Sequence, residues 1–321
     1  MRMQQQITTE VIAIDTLTAD IKQFTLKPLD GMLPPFDSGS HIVVQLGLAE
    51  RPCANAYSLI NDAAEGVFKI AVKHDAASRG GSRHLHEAVS IGSRLMVSPP
   101  ANLFRLADTT GRHVFVAGGI GITPFIAHMQ ALERSGDRYA LHYAFRGASS
   151  AAFSAMLEAR RRDGLALLYD TATGARPDVD TIVAGLAPDD HLYVCGPASL
   201  IDAVAVAAAS VGRIEPERLH VERFSAQPLE DGAAFTVHLA RSGATIAVSA
   251  DESILAAIER QTDIAVECLC REGCCGTCET ALLDGEALHR DQYLDEADRA
   301  AQKKIMICVS RAKSRSLTLD L

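Results

Sequence analysis

Four of the eight cysteines in this chain fall within nine positions, CREGCCGTC from Cys270 to Cys278. Reactive thiols this crowded oxidise and scramble unless they hold something. Cys270, Cys275 and Cys278 stand as C-x4-C-x2-C, and Cys308 follows thirty residues later. That is the plant-type [2Fe–2S] spacing. Two irons bridged by sulfide need four thiolates arriving from two sides, and a tight loop can supply three. Gly273 and Gly276 let the backbone wrap closely and aim N–H groups at sulfur. Cys274 immediately precedes Cys275, so its side chain is expected to point away; Cys268, Cys195 and Cys53 are likewise read as non-ligands. The alternative is a structural zinc, which also takes four thiolates. Zinc ligands usually come as two C-x2-C pairs, whereas here the fourth cysteine arrives alone from a distant segment.

Clustered metal-binding cysteines suit a reducing compartment. The N-terminus MRMQQQITTE has no apolar h-region, and no run approaches ~18 apolar residues. A cytoplasmic chain without membrane association is therefore expected. With 31 basic against 40 acidic residues the net charge is -9, which argues against a nucleic-acid surface. The eleven histidines are scattered and read as surface or core residues.

The chain is too long for one ordinary core. Its first hundred residues read as short strands with turn punctuation: Val11–Leu17, Ile21–Lys27, His41–Leu46, Ala56–Ile60, Val67–Lys73 and Arg94–Val97. With a helical interruption at Ser82–Val89, they predict a small antiparallel barrel over residues 1–108. From Gly111 strands and helices alternate: strands His113–Ala117, Tyr139–Phe145, Leu165–Tyr169, His191–Cys195 and Leu219–Phe224, with helices Pro124–Arg134 and Ser149–Arg162. This predicts βαβ units on a parallel sheet over 109–225. A polar linker, 226–233, then leads to a cysteine-bearing module over 234–321, with strands Phe235–Leu239 and Thr245–Val248 and a helix Ser253–Gln261.

Two glycine-rich stretches suggest phosphate-bearing ligands. Arg79-Gly80-Gly81-Ser82 opens a helix, where backbone donors, a hydroxyl and the helix dipole can cradle a phosphate. VFVAGGIGITP, Val114 to Pro124, leaves an apolar strand and opens a helix. Its Gly119 and Gly121 match G-x-G, but Pro124 stands at the third glycine position. Thr123 can cap that helix and Pro124 suits its first turn. Gly118, Gly119 and Gly121 let a dinucleotide approach the strand end. The acidic residue expected on the next strand for a ribose hydroxyl is absent: that strand ends Phe145-Arg146. Arg146 read alone favours a 2′-phosphate, and Asp170 is a second ribose candidate.

CREGCCGTCETALLDGEALHRD…MICVSRA is similar to the ferredoxin domain that ends members of the phthalate dioxygenase reductase family, and the resemblance covers nearly the whole chain. It implies a flavin-binding barrel, a nicotinamide-binding α/β domain and a β-grasp [2Fe–2S] domain, holding FMN and using NADH. NAYSLIND resembles the family's Arg-x-Tyr-Ser flavin motif. On that basis Asn55, Ala56, Tyr57 and Ser58, with Ala71, Val72 and Lys73, line the flavin, and Ser58 faces its N5 region. Position 55 is Asn where the family carries an Arg near the phosphate; Arg51 or Arg79 can replace it. Cys195-Gly196-Pro197 resembles the family's second nicotinamide marker. The catalytic candidates are Ser58, Thr123 and Cys195. Phe224 either stacks over the flavin or is the last core aromatic of its strand.

A hydride donor, a flavin and a one-electron cluster on one chain form a two-to-one electron transformer. The resemblance makes a Rieske-type terminal oxygenase the partner of a monomeric reductase. Acidic Glu272, Glu279, Glu286 and Asp291 could steer docking. Two alternatives share the modules: the reductase of a haem or di-iron monooxygenase, and a non-enzymatic iron–sulfur redox sensor.

Overall fold

The computed structural model describes residues 6–29, 31, 33–47, 52–75, 80–212, 214–224 and 233–321. Arg51, Arg79 and all of the expected linker except Ala233 lie outside the described residues. The chain divides into two compact units, Met1–Cys53 with Tyr57–Arg223, and Ala54–Ala56 with Phe224–Leu321.

The first unit opens with β1 (Ile7–Thr16), β2 (Ile21–Pro28), β3 (Ser40–Gly47), β4 (Pro52–Ser58) and β5 (Phe68–Lys73), then α1 (Gly81–Glu87), β6 (Arg94–Val97) and β7 (Ala101–Asn102). The strands run in the order β4-β3-β6-β1-β2-β5, with β7 on β3. Leu59, just beyond β4, bridges Ile70 of β5, so the two ends of this order meet and the sheet curls into a nearly closed antiparallel barrel. A bulge between Val11 and Ala13 of β1 adds the local bend that closure needs. Inward residues such as Val11, Phe24, Ile42, Val44 and Ile70 form the barrel core.

Next come β8 (His113–Gly118), α2 (Thr123–Ser135), β9 (Tyr139–Phe145), α3 (Ser154–Arg162), β10 (Ala166–Asp170), α4 (Val179–Ala184), β11 (His191–Cys195), α5 (Ala198–Val211) and β12 (Leu219–Glu222). The sheet is wholly parallel, ordered β10-β9-β8-β11-β12. β8 is buried along its length because both of its faces are covered. Phe115 and Ala117 join the core under α2 and α3, while Val114 and Val116 join the one under α4 and α5.

The second unit contains β13 (Phe235–Leu239), β14 (Ala244–Val248), α6 (Ile254–Gln261), β15 (Glu279–Asp284), β16 (Ala287–Leu288), α7 (Glu296–Ala301), β17 (Lys304–Met306), β18 (Arg311–Ala312) and β19 (Ser316–Leu319). The closing strand β19 runs parallel to β13 and antiparallel to β15 in the order β14-β13-β19-β15-β17. Helix α6, capped by Ser253 Oγ accepting from Ala256 N–H at 3.1 Å, buries Ile254, Leu255, Ala257 and Ile258 in the same core as the sheet. A mixed sheet gripping one helix is the β-grasp arrangement. Arg311, 1% exposed, is spent inside this unit: its guanidinium donates to the carbonyls of Ser249, Ala233 and Glu252.

The helix expected over Ser149–Arg162 is interrupted. A 3-10 turn spans Ala148–Ser150, and Phe153 in the left-handed region (φ 60) starts α3 afresh at Ser154. β12 stops at Glu222 rather than Phe224. No helix among the described residues is long and apolar enough to cross a membrane.

Candidate functional site

From β8 the chain moves outward through β9 to β10, then returns to β11 on the other side of β8. Such a reversal opens a crevice at the carboxyl ends of the two central strands. Both stretches singled out for a nicotinamide nucleotide end there. A Cβ on Gly121 would lie 2.4 Å from the Cys195 carbonyl oxygen, and one on Gly118 would lie 2.7 Å from Pro197 Cδ. One on Gly196 would lie 2.9 Å from the Gly118 nitrogen. These three glycines therefore let the two strand ends touch, which differs from the expectation that Gly118 and Gly121 serve ligand approach. Gly119 (φ 55) has nothing within 4 Å of such a Cβ, so it is the glycine that leaves open space. Thr123 does not cap α2: Ile122 holds the cap position without a side-chain bond, and Thr123 Oγ1 donates to the Ile120 carbonyl at 3.0 Å. The 3-10 turn Gly119–Ile122 delays the helix start and takes up that hydroxyl.

Cys195 is fully buried at the end of β11, facing Ala117 on one side and Glu222 on the other. Burial pushes its thiol well above the ordinary range, and its hydrogen bond with the Glu222 carboxyl adds to this. Burial likewise raises the Glu222 carboxyl to about 7, although the His41 charge and the Cys195 bond pull the other way. His41 comes from β3 of the barrel, so barrel and parallel sheet meet at this carboxyl within one unit. Sequence reasoning missed Glu222. Its one signal was an acid inside a strand that should be apolar. Arg146 is exposed. Asp170 Oδ1 accepts from Gly147 N–H at 2.8 Å and Ala172 N–H at 2.9 Å, so it ties two loops together.

On the barrel, Ser58 is 5% exposed and its hydroxyl has no hydrogen-bond partner among the described residues. A buried hydroxyl left so is costly, and a flavin ring offering an acceptor would satisfy it; the residues fit the group. Asn55, Ala56 and Tyr57 are half-buried on the same strand, with Tyr57 packed on the barrel core. Val72 lies in that core too, and its carbonyl meets His86 Nε2 at 2.9 Å. Ala71 belongs to the core shared with β8 and α2. Lys73 is exposed, 3.9 Å from Asp20. Gly80, in the left-handed region (φ 101), precedes α1, whose buried residues include Gly81 and Ser82. The Ser82 hydroxyl accepts from Asp75 N–H at 3.1 Å, so it ties the residues just after β5 to the first turn of α1.

In the cysteine segment the six thiols sort into two groups of three. The Sγ atoms of Cys268, Cys278 and Cys308 all lie within 4.8 Å of one another. The Cys270 thiol hydrogen-bonds with those of Cys274 and Cys275. Each group thus holds two of the residues expected from the spacing and one that was not. Cys274 turns towards Cys270 instead of away, because Gly273 reverses the backbone just before it (φ 73). A Cβ at Gly273 would sit 2.7 Å from Val309 Cγ2, and one at Gly276 would sit 2.3 Å from the Tyr293 ring. Only glycine permits the loop to close so tightly. Glu272 N–H donates to Cys270 Sγ at 3.3 Å. Hydrogen bonds from Cys278 and Cys308 pull the Cys268 thiol down, whereas its bond with Cys274 pushes Cys270 up to about 11. Thiols that share protons at this range suit a soft metal centre, and the donor set fits an iron–sulfur cluster. Asp291, Glu279 and Glu286, among the acids expected to steer a partner, make contacts within the unit. Asp291 is buried and accepts from Leu294 N–H and Ser310 Oγ. Glu279 and Glu286 pair with Lys304 at 3.7 Å and Lys313 at 3.0 Å.

A barrel with an unsatisfied hydroxyl, a parallel sheet with a glycine-lined switch point and a grasp unit with clustered thiols define an electron-transfer oxidoreductase of the flavin, nicotinamide and iron–sulfur type. Comparison with known proteins agrees. Residues 237–313 match the 2Fe-2S iron-sulfur cluster binding domain family. The carnitine monooxygenase reductase subunit of Escherichia coli (strain K12) is 44% identical over 99% of this chain and 99% of its own. The solved phthalate dioxygenase reductase, described as a modular structure for electron transfer from pyridine nucleotides to [2Fe–2S], is 34% identical with a TM-score of 0.71, covering 98% of both chains. An intact type IV self-sufficient cytochrome P450 monooxygenase is 39% identical with a TM-score of 0.82; the match covers 98% of this chain but 41% of that one. The chain belongs to the phthalate dioxygenase reductase family. It is an NADH-dependent oxidoreductase that uses a flavin and a [2Fe–2S] cluster.

Proposed function

We propose that this chain is the reductase component of a Rieske-type mono- or dioxygenase system, carrying electrons from NADH through FMN and a [2Fe–2S] cluster to the terminal oxygenase. One observation carries the reading: the orphaned Ser58 hydroxyl, the switch-point loop and the paired thiol groups all belong to one chain. Bound flavin supplies the exchange between hydride transfer and single-electron transfer that the other two carriers lack. Ser58 gives its hydroxyl to that ring. Gly119 leaves the opening for the nucleotide, and the contact of Gly121 with the Cys195–Pro197 turn fixes the floor beneath it. Cys195 stays a neutral thiol, while Glu222 holds or releases a proton near neutral pH.

Cys270, Cys275, Cys278 and Cys308 would hold the cluster, which would supply one-electron transfer to the acceptor. The proposed division is barrel 1–108, nucleotide domain 109–225, linker 226–233 and ferredoxin domain 234–321. Phe224, 38% exposed, is not a core aromatic. A monomeric, cytoplasmic protein without nucleic-acid or membrane partners completes the proposal. The carnitine monooxygenase reductase and phthalate dioxygenase reductase relatives favour an oxygenase as acceptor. The cytochrome P450 match supports a second reading, in which the acceptor is a haem protein.

Purified full-length protein should hold one flavin, two irons and two sulfides, and should reduce a one-electron dye with NADH. Stopped-flow mixing of the NADH-reduced protein with a Rieske protein should reduce the latter within a turnover. Reduction of a haem monooxygenase alone would establish the second reading. An absence of dye turnover would leave only the redox sensor.

A further inference from the structure

Cys268 stands outside the C-x4-C-x2-C pattern, yet its sulfur lies with those of Cys278 and Cys308, all three within 4.8 Å. Among the described residues this is the one group of three ligand-bearing side chains close enough to hold a single ion. Cys268 follows α6 on an irregular segment, and Cys308 lies in the turn between β17 and β18. Three parts of the unit therefore converge. Cys278 and Cys308 are buried and Cys268 is half-buried, so a cation held by all three would face solvent on one side.

We infer that the loop carries a second metal register, in which Cys268, Cys278 and Cys308 bind one thiophilic divalent cation, zinc by its chemistry, when the [2Fe–2S] cluster is absent. Zinc bound to thiolate at ~2.3 Å in tetrahedral geometry spaces its sulfurs at about 3.8 Å. Modest closure of the three thiols reaches that. Three thiolates leave the fourth position to water on the open side, a pattern zinc accepts, and soft sulfur selects such a metal over magnesium or calcium. Each thiol gives up its proton to solvent as its sulfur binds, and no electron moves. Because two of the three sulfurs are also cluster ligands in the proposed reading, on which this inference rests for its exclusivity, the cation and the cluster cannot coexist. Zinc would then hold the grasp unit closed before assembly and compete with it.

The test uses the full-length chain freed of iron and sulfide by a chelator under reducing, anaerobic conditions, titrated with Co²⁺ as an absorbing stand-in and then with Zn²⁺. One Co²⁺ per chain, with thiolate-to-metal absorption bleached by one equivalent of Zn²⁺, is the expected result. Cys268→Ser should weaken binding by at least ~tenfold, since even outer-shell partners of a metal carry that much, while Cys270→Ser should leave it unchanged. Far-UV circular dichroism and an unchanged denaturant midpoint report that the grasp unit of each variant is folded, and Cys268→Ala provides a second form of the same deletion. Cobalt binding that ignores Cys268, or that weakens equally on loss of Cys270, would overturn the inference. In the cluster-loaded protein, Cys268→Ser should retain two irons and two sulfides. Loss of both would make Cys268 a cluster ligand and overturn the separate register, whereas a parent protein without iron or sulfide would instead defeat the proposed function.

Discussion

Two buried cysteine sites in this molecule are built in opposite ways. In the Cys270–Cys278 loop, with glycine reversals at Gly273 and Gly276, thiols meet other thiols: Cys270 meets Cys274 and Cys275, while Cys278 meets Cys268 and Cys308. Cys195 meets no other thiol: it faces Glu222, brought alongside by the register of two parallel strands. A site whose ligands are neighbours in sequence can be read from spacing. A site whose partners arrive on separate strands is decided by pairing, and its chemistry differs accordingly. The loop offers soft ligands to a metal centre, whereas the strand-end pair carries a carboxyl that titrates near 7 beside a neutral thiol.

The largest effect should come from the loop itself. Cys275→Ser should abolish the iron–sulfur absorption, because a hydroxyl is a far poorer ligand than a thiolate, whereas Cys274→Ser should keep it. NADH reduction of the flavin should survive in both. Bleaching by Cys274→Ser, read by visible absorption and iron content, would break the division of the six thiols into ligands and spares.

Next comes the support beneath the loop. Arg311→Met takes the donor away from the carbonyls of Ser249, Ala233 and Glu252, and losing hydrogen bonds from a charged donor costs ~1.5–3 kcal/mol. Denaturant unfolding should show a transition shifted by that amount while flavin remains bound to the first unit. An unchanged midpoint would mean that the guanidinium contributes nothing net.

The strand-end pair should respond to pH instead of metal. The Glu222 carboxyl titrates near 7 where its ordinary value is 4.5. The folded state holds the proton more tightly, so this contribution to stability is complete below pH 4.5 and is lost as pH rises through 7. At pH 8 that amounts to ~3 kcal/mol against the fold. Glu222→Gln should therefore be more stable than the parent at pH 8 and little different at pH 4.5. Parallel stability–pH curves for the two proteins would show that the carboxyl ionises freely.

A smaller contrast lies in the glycines between. Gly121→Ala drives a methyl into the Cys195 carbonyl and should cost about 2–3 kcal/mol, as overpacking does. Gly119→Ala meets open space and should cost only the ~1–2 kcal/mol of its left-handed backbone. On the proposed reading, in which the nucleotide passes through that space, it should raise the KM for NADH. Thermal midpoints and steady-state kinetics separate the two effects.

Sequence alone determined the order of the three modules and the run of the strands, because alternation, apolar runs and turn residues are local. It also marked Cys270, Cys275, Cys278 and Cys308 as the expected cluster ligands, since ligands of one centre stand at characteristic spacings. It identified Tyr57-Ser58 and the two glycine stretches, but not what each glycine does. Only the packed structure decided that Gly118, Gly121 and Gly196 serve strand-to-strand contact, that Thr123 closes a turn instead of capping a helix and that Asp291 is buried. It alone put Glu222 beside Cys195 and Cys268 beside Cys278 and Cys308. These are matters of register and close approach between segments far apart in the chain, and a residue's own neighbours in sequence exert no force that fixes them.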